Sequence, residues 1–412
     1  MNRTIPRHKE SIGFDAILLA VYFAVVPMHQ TLLLSNGSTV VKYLAFLVMI
    51  ACVLQGYIEQ RKFRIVWDLI MPVGLMFGWF ALSVVWSDSR SATISTLISI
   101  GSYCALMLIV GSRRWNDKEK KLFLFVLIIS CVFYAVNLIR SAATTRRATL
   151  VFTLEENEKD ADQNTVALNV GYGALSAFSF FLQRKSGKMK WLALGCMLVI
   201  LVGLISTGSR GGLFALLAGD GYLYFKASKQ NPRLRNSFFI IPVVILLFLW
   251  LLLEFNLLGN NTILTRFQNV DVSSMSGRTE IWSQYLGTLF QRPVGFLCGY
   301  GVGCDTIAHA AYMLRSWYRA SHNDFISVLC WGGIPGVLLT GSFVRHVWQR
   351  SMRRDNLLGC ACIILALVGS MDINFFKTYG WWNAMLIANI GIGQVMDVKM
   401  PTILSDSQQH VQ

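Results

Sequence analysis

The chain has 412 residues, 54% hydrophobic and only 14% charged, where a soluble domain carries about 25% charged residues. Apolar blocks of membrane-crossing length alternate with short charged segments, which excludes an ordinary soluble enzyme and reads as a multispan membrane protein. The formal net charge of +15 follows the segments between apolar blocks, so it marks topology, and nucleic acid is not an expected partner.

Arg3, Arg7 and Lys9 precede the first apolar block. That block has no small-residue cleavage site and is followed by further spans, so a retained anchor is expected. With about twenty apolar residues needed per crossing, spans fall near 14–34, 38–58, 66–86, 95–112, 122–139, 164–183, 190–206, 211–226, 237–258, 322–344, 356–371 and 379–396. Lys and Arg then collect in alternate loops, for example Arg61, Lys62 and Arg64, Arg113 and Arg114 with Lys118, Lys120 and Lys121, and Arg345, Arg350, Arg353 and Arg354. Basic loops face the cytoplasm. The expectation is an all-α polytopic protein of the inner membrane, a single integral membrane domain over 1–412 with about twelve spans and both termini cytoplasmic.

Two outer segments are long, 140–163 and 259–321. The second precedes the tenth span and is rich in aromatic residues, so it is expected to form a helical periplasmic cap. Within it, Ile281, Trp282, Tyr285, Leu286, Leu289 and Phe290 recur at helical spacing over 279–290, and a second helix is expected over 305–318. Cys298 and Cys304 fall in this loop and face an oxidising compartment, which leaves their pairing open.

Twelve spans are also the plan of many transporters, which place ionisable residues near the bilayer midplane. Asp15, Lys42, Asp68, Asp220 and Glu254 each fall within about six residues of an expected span end, where side chains snorkel. A lipid or sugar transporter is therefore the third reading.

Polar chemistry instead gathers in three outer-face segments. In Ser206-Thr207-Gly208-Ser209-Arg210-Gly211-Gly212, glycines beside Arg210 at a helix start let backbone N–H groups approach an anion. In Ser276-Gly277-Arg278-Thr279-Glu280, Arg278 falls in the first turn of the expected helix, where a cation opposes the helix dipole and a bound anion would relieve it. In Ser321-His322-Asn323-Asp324, His322 opens a span, and a histidine titrating near neutral pH can take a proton. A tight turn, a surface arginine and a headgroup-level histidine are the plainer alternatives for the three. Asp305 and Asp324 are spare carboxylates available to orient His322 or to bind a polar ligand. No Cys/His spacing suits zinc and no outer carboxylate cluster suits another metal, so neither metal nor cofactor is expected.

Taken together, these segments resemble the O-antigen ligase and O-antigen polymerase superfamily. His322-Asn323, nine residues, then Gly333-Ile334-Pro335-Gly336 is similar to the ligase pattern, and Arg210 after the seventh span and Arg278 in the large outer loop agree in order. The resemblance implies a membrane glycosyltransferase whose donor is a glycan on undecaprenyl diphosphate, presented at the periplasmic face among membrane lipids. A ligase passes the glycan to lipid A–core; a polymerase, of O-antigen or exopolysaccharide, passes it to another lipid-linked glycan. It implies His322, Arg278 and Arg210 as catalytic residues, with Ser209, Gly211, Asn323 and Asp324 beside Arg210 and Arg278 for substrate binding. The ten-residue separations Arg210 to Gly221 and Arg292 to Gly303 keep the polymerase alternative open.

Overall fold

The computed structural model describes residues 11–30, 32, 34, 39–58, 67–144, 162–183, 187–230, 278–313 and 320–393. Every regular element among them is a helix: α1 (Phe14–Val25), α2 (Val40–Ile58), α3 (Trp67–Leu82), α4 (Arg90–Ser112), α5 (Asp117–Thr144), α6 (Gln163–Gln183), α7 (Lys188–Ser206), α8 (Arg210–Gln230), α9 (Arg278–Gln291), α10 (Val294–Cys298), α11 (Asp305–Met313), α12 (Asp324–Arg353), α13 (Leu357–Gly369) and α14 (Tyr379–Ile390). Six are long and apolar enough to cross a membrane, namely α2, α4, α5, α6, α7 and α12, and α1, α3 and α13 are shorter apolar helices. Eleven of the expected spans thus coincide with a helix; the span at 237–258 lies outside the described residues. Nearly all of α6 is buried, because α5, α7, α8 and α13 surround it.

The charged residues within the helices correct part of the sequence reading. Asp15 does not snorkel. It is fully buried and accepts from Arg113 Nε at 2.7 Å, while Arg113 also meets Glu119 at 3.4 Å and lies over the Trp115 ring. Asp220, unlike Asp15, is not near a helix end. α8 continues past Lys226 and Lys229, whose ammonium groups lie over Tyr222 and Phe225, and this leaves Asp220 buried at the centre of the helix. The apolar stems of the two lysines cover the helix surface, so a charge at position 226 does not mark the end of the element. Lys42 is exposed, Asp68 pairs with Arg350 at 2.6 Å, and Glu254 lies outside the described residues. Between these pairs a cavity of about 280 Å³ is lined by Arg113, Arg114, Lys120, Arg350 and Arg354, at the end of the bundle where α4, α12 and α14 finish.

The segment after α8 folds back onto the bundle. The expected helices at 279–290 and 305–318 are present as α9 and α11, the latter described to Met313. Tyr285 and His309 stack at 4.3 Å between them, and burial lowers the His309 imidazole from its ordinary pKa. Arg292 fixes the far end of α9 through a two-pronged pair with Asp88 at 3.0 and 3.1 Å. The cysteines are not bonded to each other: Cys304 Sγ lies 3.3 Å from the hydroxyls of Ser87 and Thr93, and Cys298 meets Trp86 through its carbonyl.

α12 is broken where the Gly-x-x-Gly motif falls. Gly333 takes φ 63°, and a Cβ there would lie 2.6 Å from the Phe296 carbonyl oxygen and 2.7 Å from that of Leu297. Pro335 has no N–H, which frees the Trp331 carbonyl. That carbonyl accepts from Gly301 N–H at 3.2 Å; its neighbours on Cys330 and Gly332 accept from Tyr300 N–H at 2.7 Å and Trp79 Nε1 at 2.7 Å. The broken helix therefore has its backbone satisfied by α3 and by the chain after α10, the condition for irregular backbone at membrane depth. Gly333→Ala should cost about 2–4 kcal/mol, combining a left-handed backbone with overpacking. Thermal unfolding of the purified variant in detergent checks this, and wild-type stability would contradict it.

Candidate functional site

Ser209 starts α8. Its hydroxyl accepts from Gly212 N–H at 3.1 Å and its carbonyl from Leu213 N–H at 3.2 Å. The cap places Arg210 in the first turn, half-buried. Gly211, next in line, lies against a residue to which the sequence reading gave no role: a Cβ on Gly211 would stand 2.1 Å from Asp372 Oδ2. Only glycine lets that carboxylate approach.

Asp372 also accepts from Arg278 Nη1. The two side chains are 18% and 25% exposed, so the pair is largely withdrawn from water. Partial burial lowers the Arg278 guanidinium from its ordinary pKa, the charge of Arg210 lowers it further, and Asp162 at the start of α6 opposes both. Two arginines within electrostatic reach disfavour each other's charge and favour an anion between them.

The same helix reaches the histidine segment. One turn beyond Arg278, Trp282 Nε1 donates to the Ser321 carbonyl at 2.9 Å. Ser321 is buried, with its hydroxyl donating to Asn374 Oδ1 at 2.9 Å. Asn323 N–H donates to the same oxygen at 3.0 Å. Between these two anchored residues His322 is exposed and takes φ 49°, a left-handed conformation uncommon outside glycine. The strain is held by the hydrogen bonds on either side of it.

Asn323 and Asp324 have structural tasks. Asn323 Oδ1 caps α12 by accepting from Phe325 N–H at 2.9 Å and Ile326 N–H at 3.2 Å. Buried Asp324 accepts from Phe375 N–H at 3.0 Å and Phe376 N–H at 2.7 Å. Asp305 accepts from Ser327 and Trp331 at 2.9 Å each and from Lys377 at 3.1 Å.

The short connection from Ser370 to Thr378, between α13 and α14, is therefore the hub. Asp372 touches the α8 start and the α9 start, Asn374 holds both sides of His322, and the Phe375 and Phe376 amides hold the α12 start. Arg210, Arg278 and His322, separated by as many as 112 residues in the sequence, all border this one connection. Sequence reasoning passed over Asp372 and Asn374. The one signal available was that Asp372 and Asn374 fall in the short gap 372–378 between two expected spans. Arg292 lies at the opposite end of α9, about 20 Å away at 1.5 Å per residue, and is committed to Asp88. Among the described residues no group of three or more His, Cys, Asp and Glu side chains is placed to hold a metal ion.

An all-helical, multi-pass membrane protein with two arginines and a histidine at one end of its bundle is the class these features define. Residues 194–341 match the family model described as O-antigen ligase, and this stretch of the chain carries that family's domain. The match runs from α7 into α12 and contains Arg210, Arg278, His322 and the Gly333–Gly336 motif, so the resemblance read from the sequence is borne out. No curated protein matches the chain.

If Asp372 and Arg278 form a withdrawn pair, their deletions are coupled. Arg278→Ala, Asp372→Ala and the double variant should show a coupling energy of about 0.5–1 kcal/mol in thermal unfolding. Strict additivity would show that the pair contributes nothing to the fold.

Proposed function

We propose that the chain is a glycosyltransferase acting at the periplasmic face, which moves a glycan from undecaprenyl diphosphate to lipid A–core. The supporting observation is the pairing of Arg278 with Asp372, which also lies against Gly211, with the charge of Arg210 felt at Arg278 and His322 anchored to the same connection, in a chain whose residues 194–341 match the O-antigen ligase model. In this reading the protein is one membrane domain of about twelve spans, both termini are cytoplasmic, and the segment 259–321 is its periplasmic cap.

The chemistry follows from the charges. The acceptor hydroxyl attacks the anomeric carbon of the donor sugar. The new C–O bond forms as the bond from that carbon to the diphosphate breaks, and the diphosphate keeps the bonding pair. Negative charge grows on the leaving group, and guanidiniums fixed beside it stabilise the transition state more than the ground state. Arginine suits the task because its forked donors match phosphate oxygens. Arg278, already paired with a carboxylate, exchanges Asp372 for a phosphate oxygen or shares itself between the two. His322, exposed between its anchors, accepts the hydroxyl proton. Ser209 and Gly211 shape the arginine turn, and Asn323 and Asp324 set the position of His322. The reading calls for no metal and no cofactor.

An O-antigen or exopolysaccharide polymerase is the alternative within the same chemistry. The spacing that suggested it draws on Arg292, which the bundle uses to fasten α9 to Asp88, and the ligase reading therefore leads.

Arg210→Ala, Arg278→Ala and His322→Ala should each lower transfer from a purified lipid-linked donor by about 100- to 1,000-fold. Lys at either arginine position should recover only part of the loss. His322→Ala should leave donor binding largely intact. Wild-type transfer rates in all three alanine variants, at equal protein level, would refute the site.

A further inference from the structure

The folded-back segment has an apolar edge that no part of the described protein covers. Phe290 is 72% exposed, Val294 68% and Leu297 64%, and Leu286 is also exposed. These residues line the end of α9 and the whole of α10, and the Phe290 and Phe296 rings meet at 5.2 Å. On α9 the exposure is one-sided, since Ile281, Tyr285 and Leu289 are buried against the bundle. A contiguous uncovered apolar patch marks an interaction surface.

What surrounds the patch identifies its occupant. α10 is pressed onto α12 at Gly333, next to Ile334 and one helical turn from Leu338, both exposed apolar residues. On its other side Cys298 accepts from Trp86, adjacent to exposed Val85 and close to exposed Leu82 at the end of α3. The patch is thus continuous with the apolar outer surfaces of α3 and α12, which in a multi-pass protein face lipid. A ruler along α12 agrees. From Gly333 to Arg350, which pairs with Asp68 at the start of α3, is seventeen residues, about 25 Å of helix. The hydrocarbon layer is about 30 Å thick. With the Arg350–Asp68 pair at one membrane surface, α10 falls at the edge of the hydrocarbon of the opposite leaflet. The Arg292–Asp88 pair, just before α10, then stands at the headgroups.

We propose that the edge formed by Leu286, Phe290, Val294 and Leu297 is seated in the acyl chains of the leaflet nearest Arg278, so that α9 is a beam fixed to lipid at one end and carrying Arg278 at the other. The occupant is lipid hydrocarbon, and the Arg292–Asp88 pair sets the depth of insertion. The inference rests on the membrane placement and is independent of the transfer activity.

Spin labels test it. Phe290→Cys and Val294→Cys, each labelled with a nitroxide in a Cys196→Ser, Cys298→Ser background, are compared in lipid nanodiscs with labelled Glu280→Cys on the exposed polar side of α9. Molecular oxygen, which concentrates in hydrocarbon, and a water-soluble nickel chelate serve as collision probes. The expected result is oxygen-dominated relaxation at 290 and 294 and nickel-dominated relaxation at 280. Nickel collision at 290 and 294 equal to that at 280 would overturn the proposal. So would exclusion of both probes at 290 and 294, since a protein surface would then cover the edge. Loss of the oxygen preference at 294 in an Arg292→Gln background, with the preference at 338 in a labelled Leu338→Cys control unchanged, is expected if the pair sets the depth. An unchanged preference at 294 would refute that part.

Discussion

Arg278 lies within electrostatic reach of Arg210, two like charges together favour an anion beside them, and the fold places Asp372 on Arg278. The carboxylate fits only because residue 211 is glycine, and it binds Arg278 only because α9 folds back across the bundle. Three segments far apart in sequence are thereby tied at a single point: the α7–α8 turn, the start of α9, and the connection between α13 and α14. The position of His322 depends on the same connection, since Asn374, two residues after Asp372, holds both Ser321 and Asn323. An electrostatic requirement at one residue thus fixes the relative placement of the whole cluster. In the proposed reaction a diphosphate entering the cluster would meet cations already brought together, whose mutual repulsion it relieves, and that is preorganisation for a leaving group that gains charge.

The second constraint is backbone satisfaction inside an apolar surround. Breaking α12 at Gly333 and Pro335 frees carbonyls, and the amides of Tyr300 and Gly301 with the Trp79 indole take them up. The break and the docked segment need each other. The Gly-x-x-Gly motif therefore acts as a docking surface for the chain after α10, and it secures the far end of the helix that begins with Arg278.

How much of this was legible depended on range. Arg210 and Arg278 were visible as cations at helix starts, and His322-Asn323 as a motif with a fixed distance to Gly333. The helices followed from apolar run length and from the periodicity of residues such as Ile281, Tyr285 and Leu289. Asp372 and Asn374 were not legible, because a carboxylate in a short polar connection has no period and its partners lie 94 and 51 residues away. Asp15 was misread for a similar reason: its partner Arg113 is 98 residues distant, and a lone aspartate near a span end looks like an interfacial one. Asp220 was misplaced because Lys226 resembled a boundary, whereas its stem lies along Tyr222 and the helix runs on. Asn323 looked like a substrate contact, and its side-chain oxygen is engaged in capping α12.

In the proposed reaction the diphosphate of the donor lies between Arg210 and Arg278. Cryo-electron microscopy of the protein in nanodiscs with an undecaprenyl-diphosphate-linked glycan tests it most directly. The account predicts phosphate density bridging the two guanidiniums beside Asp372, with the first sugar turned toward His322. Phosphate density in the basic cavity lined by Arg113, Arg114 and Arg354 at the other end of the bundle, with none at Arg278, would contradict it.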